Sequence, residues 1–229
     1  MTPDLLADLN RARKDGRAIC LVSSPQYGAE QLVYHDTLQD APEALQAAAN
    51  AAFQSDKQQS ITLDDVPLYL TPFNPPIEVI IVGAVHIAQA LLPLLDALDF
   101  KATLVDPRGA FARQERFAAA DVLIEWPDEA FEKLTIGHRT AVVALTHDPK
   151  LDDPALSSAL QGNPFYIGAL GSKRTHAKRI ERLQAAGFST ESIARISAPI
   201  GLDIGASGAA EIALSIAADL VKTLRTPAL

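Results

Sequence analysis

From residue 77 onward, unbroken apolar runs alternate with helical patterns, and this alternation leaves few folds open to the chain. The runs are EVIIVG (78–83), KATLVD (101–106), DVLIEW (121–126), TAVVALTH (140–147) and PFYIGAL (164–170). Between or after them come IAQALLPLLDAL, PDEAFEKL, DPALSSAL and THAKRIERLQAAG, and AAEIALSIAADLVKTL follows towards the end. A strand with one wet face alternates apolar and polar residues; these runs are apolar at successive positions, so both faces must be covered. Helices on both sides of a mainly parallel sheet meet that demand, which predicts an α/β, Rossmann-like doubly wound architecture.

Residues 1–75 follow another pattern. A polar helix (3–14), a short strand (18–23), an Ala-rich helix (41–53) and the strand-like VPLYLTPF (66–73) suggest a small N-terminal α+β domain. Asn74-Pro75-Pro76 ends it, because proline disfavours both continued helix and central strand. The expected domains are therefore 1–75 and 76–229.

Composition narrows the functional classes. With 48% hydrophobic and 21% charged residues in 229, a sizeable core can be buried. No apolar run approaches the roughly 20 residues that span a bilayer, and no secretory apolar core stands at the N-terminus, so a cytoplasmic location is expected. The single cysteine, Cys20 in AICLV, reads as a small buried hydrophobe, and no Cys/His cluster has zinc-site spacing. A formal charge of -8 argues against nonspecific nucleic-acid binding, so any anion site must be a local basic patch.

Three turns fall where an open parallel sheet places its ligand crevice, at the carboxyl ends of the strands. The first, EVIIVGAVHIAQA (78–90), resembles a dinucleotide turn with one glycine missing: Gly83 and Ala88 fill the first and third places, but Val85 stands at the second. A β-branched residue resists positive φ and would project its side chain where phosphate oxygens lie. Asp106 ends the next run at a spacing suited to a ribose hydroxyl, or simply begins the turn Asp106-Pro107-Arg108-Gly109. His86 either faces the crevice or begins the helix.

The second turn, YIGALGSKRTHAKR (166–179), leads from a strand through glycines into a helix that Ser172 or Thr175 can cap. Its free N–H groups, joined by Lys173, Arg174 and His176, suit an anion, and Gly168 and Gly171 would let backbone approach a ligand. Lys178, Arg179 and Arg182 read as a solvated basic face. In the third turn, THDPKLDD (146–153), His147 and Asp148 are candidates for acid/base work or ligand contact, while a helix cap before Pro154 accounts for Asp152 and Asp153. A final loop, APIGLDIG (198–205), brings Asp203 to the last helix and is a candidate cover for the crevice.

Together, THDPKLDDPAL (146–156), FYIGALGSKRTHAKRIERL (165–183) and APIGLDIGA (198–206), with DPR (106–108) and ERF (115–117), resemble the XdhC/CoxI family of accessory and maturation factors for xanthine dehydrogenase and related molybdenum hydroxylases. The resemblance spans about residues 77–225. It implies a chaperone that binds molybdenum cofactor (molybdopterin), protects it during sulfuration and delivers it to an apo-hydroxylase subunit. It further implies a homodimer and a cysteine desulfurase as a second partner. Two departures stand out: the family turn reads GAGH where this chain has Val85, and SSPQYGAE (23–30) is at most a remnant of the family's N-terminal motifs. The alternatives are an NAD(P)-binding oxidoreductase, on Gly83 and Asp106, and a ligand-free scaffold or regulatory paralogue.

Overall fold

Two helices enclose a four-stranded sheet in the first part of the chain. The computed structural model describes residues 1–110, 112 and 114–226; residues 227–229 of the expected second domain lie outside the described residues. The chain divides into two compact units, Met1–Pro75 and Pro76–Ala228.

In the first unit, α1 (Pro3–Lys14) is capped by the Thr2 side chain, which accepts the Leu5 amide at 3.3 Å. Then come β1 (Ile19–Ser24), β2 (Ala29–Tyr34), α2 (Glu43–Ser55), β3 (Gln59–Leu63) and β4 (Val66–Phe73), with the antiparallel strand order β2-β1-β4-β3. Alternation along β1 sends Cys20 and Val22 against Ala48, Ala49, Ala52 and Phe53 of α2, while Ile19 meets Leu9 and Ala12 of α1. Cys20 is fully buried, and burial pushes its thiol up to about 12. Strands β2 and β3 have no counterpart in the sequence reading, since AEQLVY and QSITL become strands only through pairing. The β3–β4 hairpin turns on Asp64 and Asp65, both at positive φ (50° and 62°), as a two-residue turn of this hand requires.

The second unit runs β5 (Glu78–Val82), α3 (His86–Ala97), β6 (Lys101–Val105), β7 (Asp121–Leu123), α4 (Pro127–Lys133), β8 (Thr140–Ala144), α5 (Pro149–Gln161), β9 (Tyr166–Ala169), α6 (Lys173–Ala185), α7 (Thr190–Ile193), β10 (Ile196–Ser197) and α8 (Ala209–Arg225). All pairs in its six-stranded sheet are parallel, in the order β10-β9-β8-β5-β6-β7. Val79 and Ile81 of β5 pack towards α3 and α8, and Ile80 and Val82 pack with residues of α4, α5 and α6 on the other face. This doubly wound Rossmann sheet is what the continuous apolar runs required. Its order reverses between β5 and β8, which makes that point the topological switch.

The strands are shorter than the runs that announced them, because the end of each run carries on past the sheet into the connection that follows. DVLIEW departs furthest. Only three of its residues pair, on the edge strand β7, and Ile124 and Trp126 are exposed.

Candidate functional site

Beyond β5 the chain turns at Gly83, whose φ of +114° suits glycine. An added Cβ there would lie 2.5 Å from Thr146 Cγ2, so the turn is closed against the end of β8 at the switch point. Val85 is extended (φ −106°, ψ 170°) and precedes α3 without strain, which corrects the expectation that a β-branched residue conflicts with the backbone there. The positive φ belongs to Gly83 instead. His86 is exposed at the first position of α3.

The Ala84 N–H donates to Asp106 Oδ2 at 2.7 Å. Asp106 is fully buried and also accepts from Arg108: the amide at 2.9 Å, Nε at 2.9 Å and Nη2 at 2.8 Å. Burial alone would raise its carboxyl, but the bonds from Arg108 and Ala84 outweigh it and hold it below the usual carboxylate range. Both oxygens are thus engaged by the chain's own donors, one of them at the position where a dinucleotide turn would offer its amide to a phosphate.

The second turn is capped by Ser172, whose Oγ accepts the Thr175 amide at 3.2 Å. Gly171 takes φ +136° beside Thr175. Gly168 lies inside β9, where a Cβ would stand 2.5 Å from Ile200 Cδ1; its role is packing rather than ligand approach. Lys173 is exposed and lines no part of the cleft described next, and the same holds for Asp203.

The basic face of α6 is not simply solvated, contrary to the sequence expectation. Arg174, Lys178 and Arg182 recur every four residues, with Thr175 and Arg179 beside them. This side of the helix lines a cleft of about 280 Å³ with His147, Pro149 and Asp152 at the start of α5. Arg182 holds Asp153 through Nε and Nη2 at 2.5 and 3.0 Å. Arg179 is 1% exposed. Its Nη2 donates to the Leu170 carbonyl at 3.0 Å and faces Asp152 Oδ2 at 3.4 Å.

Asp152 and Asp153 are therefore ion-pair partners within α5, and the cap is Asp148, whose Oδ1 accepts the Lys150 amide at 3.0 Å. Asp152 Oδ1 also accepts from Thr146 Oγ1 at 2.6 Å. Burial raises the Asp152 carboxyl, against the opposing pull of Thr146 and Arg179. His147 stands at the cleft in a left-handed conformation, φ 63°.

Arg179 Nε and Nη1 are buried without a partner among the described residues, and His176 Nδ1 shares that condition. Buried donors in native structures almost always find acceptors, so a buried guanidinium with open donors on a cation-lined cleft points to an anion from outside the chain. Burial, followed by the charge of Arg179, lowers the His176 pKa. The structure thus brings His147, Arg174 and Thr175 together, leaves Gly83, His86, Asp106 and Asp203 elsewhere, and adds Lys178, Arg179 and Arg182. The four-residue spacing of cations from Arg174 was the signal that could have found Lys178 and Arg182; the burial of Arg179 had no such mark.

Residues 79–220 match the family model described as the XdhC Rossmann domain. The chain belongs to the XdhC family. This XdhC member is 43% identical over 81 residues to the molybdenum cofactor insertion chaperone PaoD of Escherichia coli (strain K12), covering 35% of this chain and 26% of that protein. It is 29% identical over 157 residues to a probable xanthine dehydrogenase subunit of Bacillus subtilis (strain 168), covering 68% of this chain and 46% of that protein. The chain thus spans less than half the length of these relatives. In fold it is similar to a crystal structure of a xanthine dehydrogenase from Bacillus halodurans, with a TM-score of 0.67 at 21% identity, covering 98% of this chain and 66% of that one. Among the described residues, no helix is long and apolar enough to cross a membrane, and no group of three or more His, Cys, Asp or Glu could hold a metal ion.

Proposed function

We propose that this XdhC protein is a molybdenum cofactor chaperone that supports sulfuration of the cofactor and its insertion into a xanthine dehydrogenase-type hydroxylase. The observation that carries the reading is the cleft between α5 and α6 in an XdhC Rossmann domain, with open donors of Arg179 at its buried side. Molybdopterin ends in a phosphate, and these residues fit such an anion: Arg174 and Lys178 stand exposed at the cleft while Arg179 supplies buried N–H groups. The cofactor is cargo, so the chain's work is to hold, shield and release it. The working unit in this reading is a cytoplasmic homodimer, whose partners are a cysteine desulfurase and the apo-hydroxylase.

The relative named as an insertion chaperone supports the reading. The nicotinamide alternative loses support from the Ala84 amide, which is engaged by Asp106. Native mass spectrometry of the protein mixed with molybdenum cofactor, followed by transfer to an apo-hydroxylase, tests the proposal. Retention of the cofactor and faster activation of the hydroxylase are expected. Retention of NAD with no retention of cofactor overturns it.

A further inference from the structure

We infer that the cleft between α5 and α6 is a receptor for a terminal phosphate monoester, bound as its dianion, with Arg179 as the buried contact. The inference rests on the chaperone reading only for the identity of the natural ligand; the site itself is argued from the cleft.

The cleft is lined by four cations, Arg174, Lys178, Arg179 and Arg182, and by one carboxylate, Asp152; Asp153 and Glu181 stand beside it and act on Arg182. Asp152 faces Arg179 and Asp153 holds Arg182, which leaves the charges of Arg174 and Lys178 over. Neither of those two has a carboxylate partner among the described residues. Two cations without a carboxylate partner, in a chain of formal charge -8, match a dianion better than the single charge of a phosphodiester.

Geometry favours a chain-terminal group. Arg179 is 1% exposed, and its Nε and Nη1 have almost no accessible surface, so neighbouring side chains must shift for a ligand to meet them, and a narrow terminal group asks the smallest shift. A monoester exposes three oxygens at its tip. A diphosphate bridging two bulky groups carries substituents on both sides and must lie along an open groove instead. Asp152 stays bound to Thr146 Oγ1 and the Leu170 carbonyl holds Nη2, so the guanidinium is fixed in place before any ligand arrives.

Calorimetry with the full chain at about pH 8, where a monoester is a dianion, compares methyl phosphate, dimethyl phosphate and ADP-ribose. Methyl phosphate is expected to bind, dimethyl phosphate to bind at least about ten-fold more weakly, and ADP-ribose to bind no better than methyl phosphate. The double variant Arg174→Gln plus Lys178→Gln, at exposed positions, is expected to weaken methyl phosphate about ten-fold or more, and Arg179→Lys to weaken it while keeping the charge. Should Arg179→Lys fail to fold, the exposed double variant decides the question alone. Equal affinity for mono- and diester, tighter binding of ADP-ribose, or indifference to the double variant overturns the assignment. Cofactor retention without methyl phosphate binding would remove this site and leave the chaperone reading standing; methyl phosphate binding without cofactor retention would do the reverse.

Discussion

Arg179 Nη2 lies 3.4 Å from Asp152 Oδ2, with the two side chains only 1% and 2% exposed, and this contact joins α6 to the first turn of α5 beneath the cleft. The pair holds a guanidinium where an anion can reach it. Its stability cost and its binding role are therefore coupled.

Breaking the pair from either side leaves a buried group uncompensated. Asp152→Asn and Arg179→Met are each expected to destabilise the protein by about 3 kcal/mol. The double variant is expected to lose less than the two together, since neither partner is then stranded. Urea unfolding of the four proteins measures this; strictly additive losses would show that the residues do not interact.

Replacing Val85 by glycine is expected to confer no affinity for NAD. Val85 is already extended, and the Ala84 amide behind it is engaged by Asp106. The sequence reading, which blamed the Val85 side chain, expects the opposite. Titration calorimetry separates the two, and micromolar binding by the variant would show that Asp106 yields its donor to a ligand.

Asp106 ties stability to acid pH. Its carboxyl sits below the ordinary value of about 3.9, so its stabilising contribution is present above that value and is lost as pH falls through the lower, folded-state value. Asp106→Asn is expected to cost about 1–3 kcal/mol near neutrality and progressively less in acid. Denaturation midpoints of both proteins across that range are the check; a gap that does not shrink would contradict the linkage.

His176 titrates nearer neutrality. Burial and Arg179 hold its pKa below the ordinary value of about 6.5, so the fold favours neutral imidazole. The associated stability is present above that value and lost as pH falls through the lowered one. An NMR titration of the ring protons is expected to give a midpoint below about 6.5; a midpoint at or above it would mean that the imidazole has found an acceptor.

Much of the architecture was written in the chain itself. Helix α1 and strand β4 have the bounds their patterns announced, and each of the five runs from residue 78 onward contains a strand of the parallel sheet. Burial on both faces acts residue by residue, so it leaves a mark at every position. The helix cap was narrowed to Ser172 or Thr175 for a similar reason, since capping is settled within one turn, and the structure takes Ser172.

What tertiary structure alone decided are the relations between distant residues. Strands β2 and β3 exist because β1 and β4 lie beside them. The value of Asp106 to the fold depends on an amide 22 residues away. Arg179 looked like surface until β8 and β9 paired and brought α5 against α6, setting Asp152 beside it from 27 residues away. Local propensity cannot encode such contacts, because the strength of an ion pair and the cost of burying a charge depend on the distance and solvent that only the assembled fold supplies.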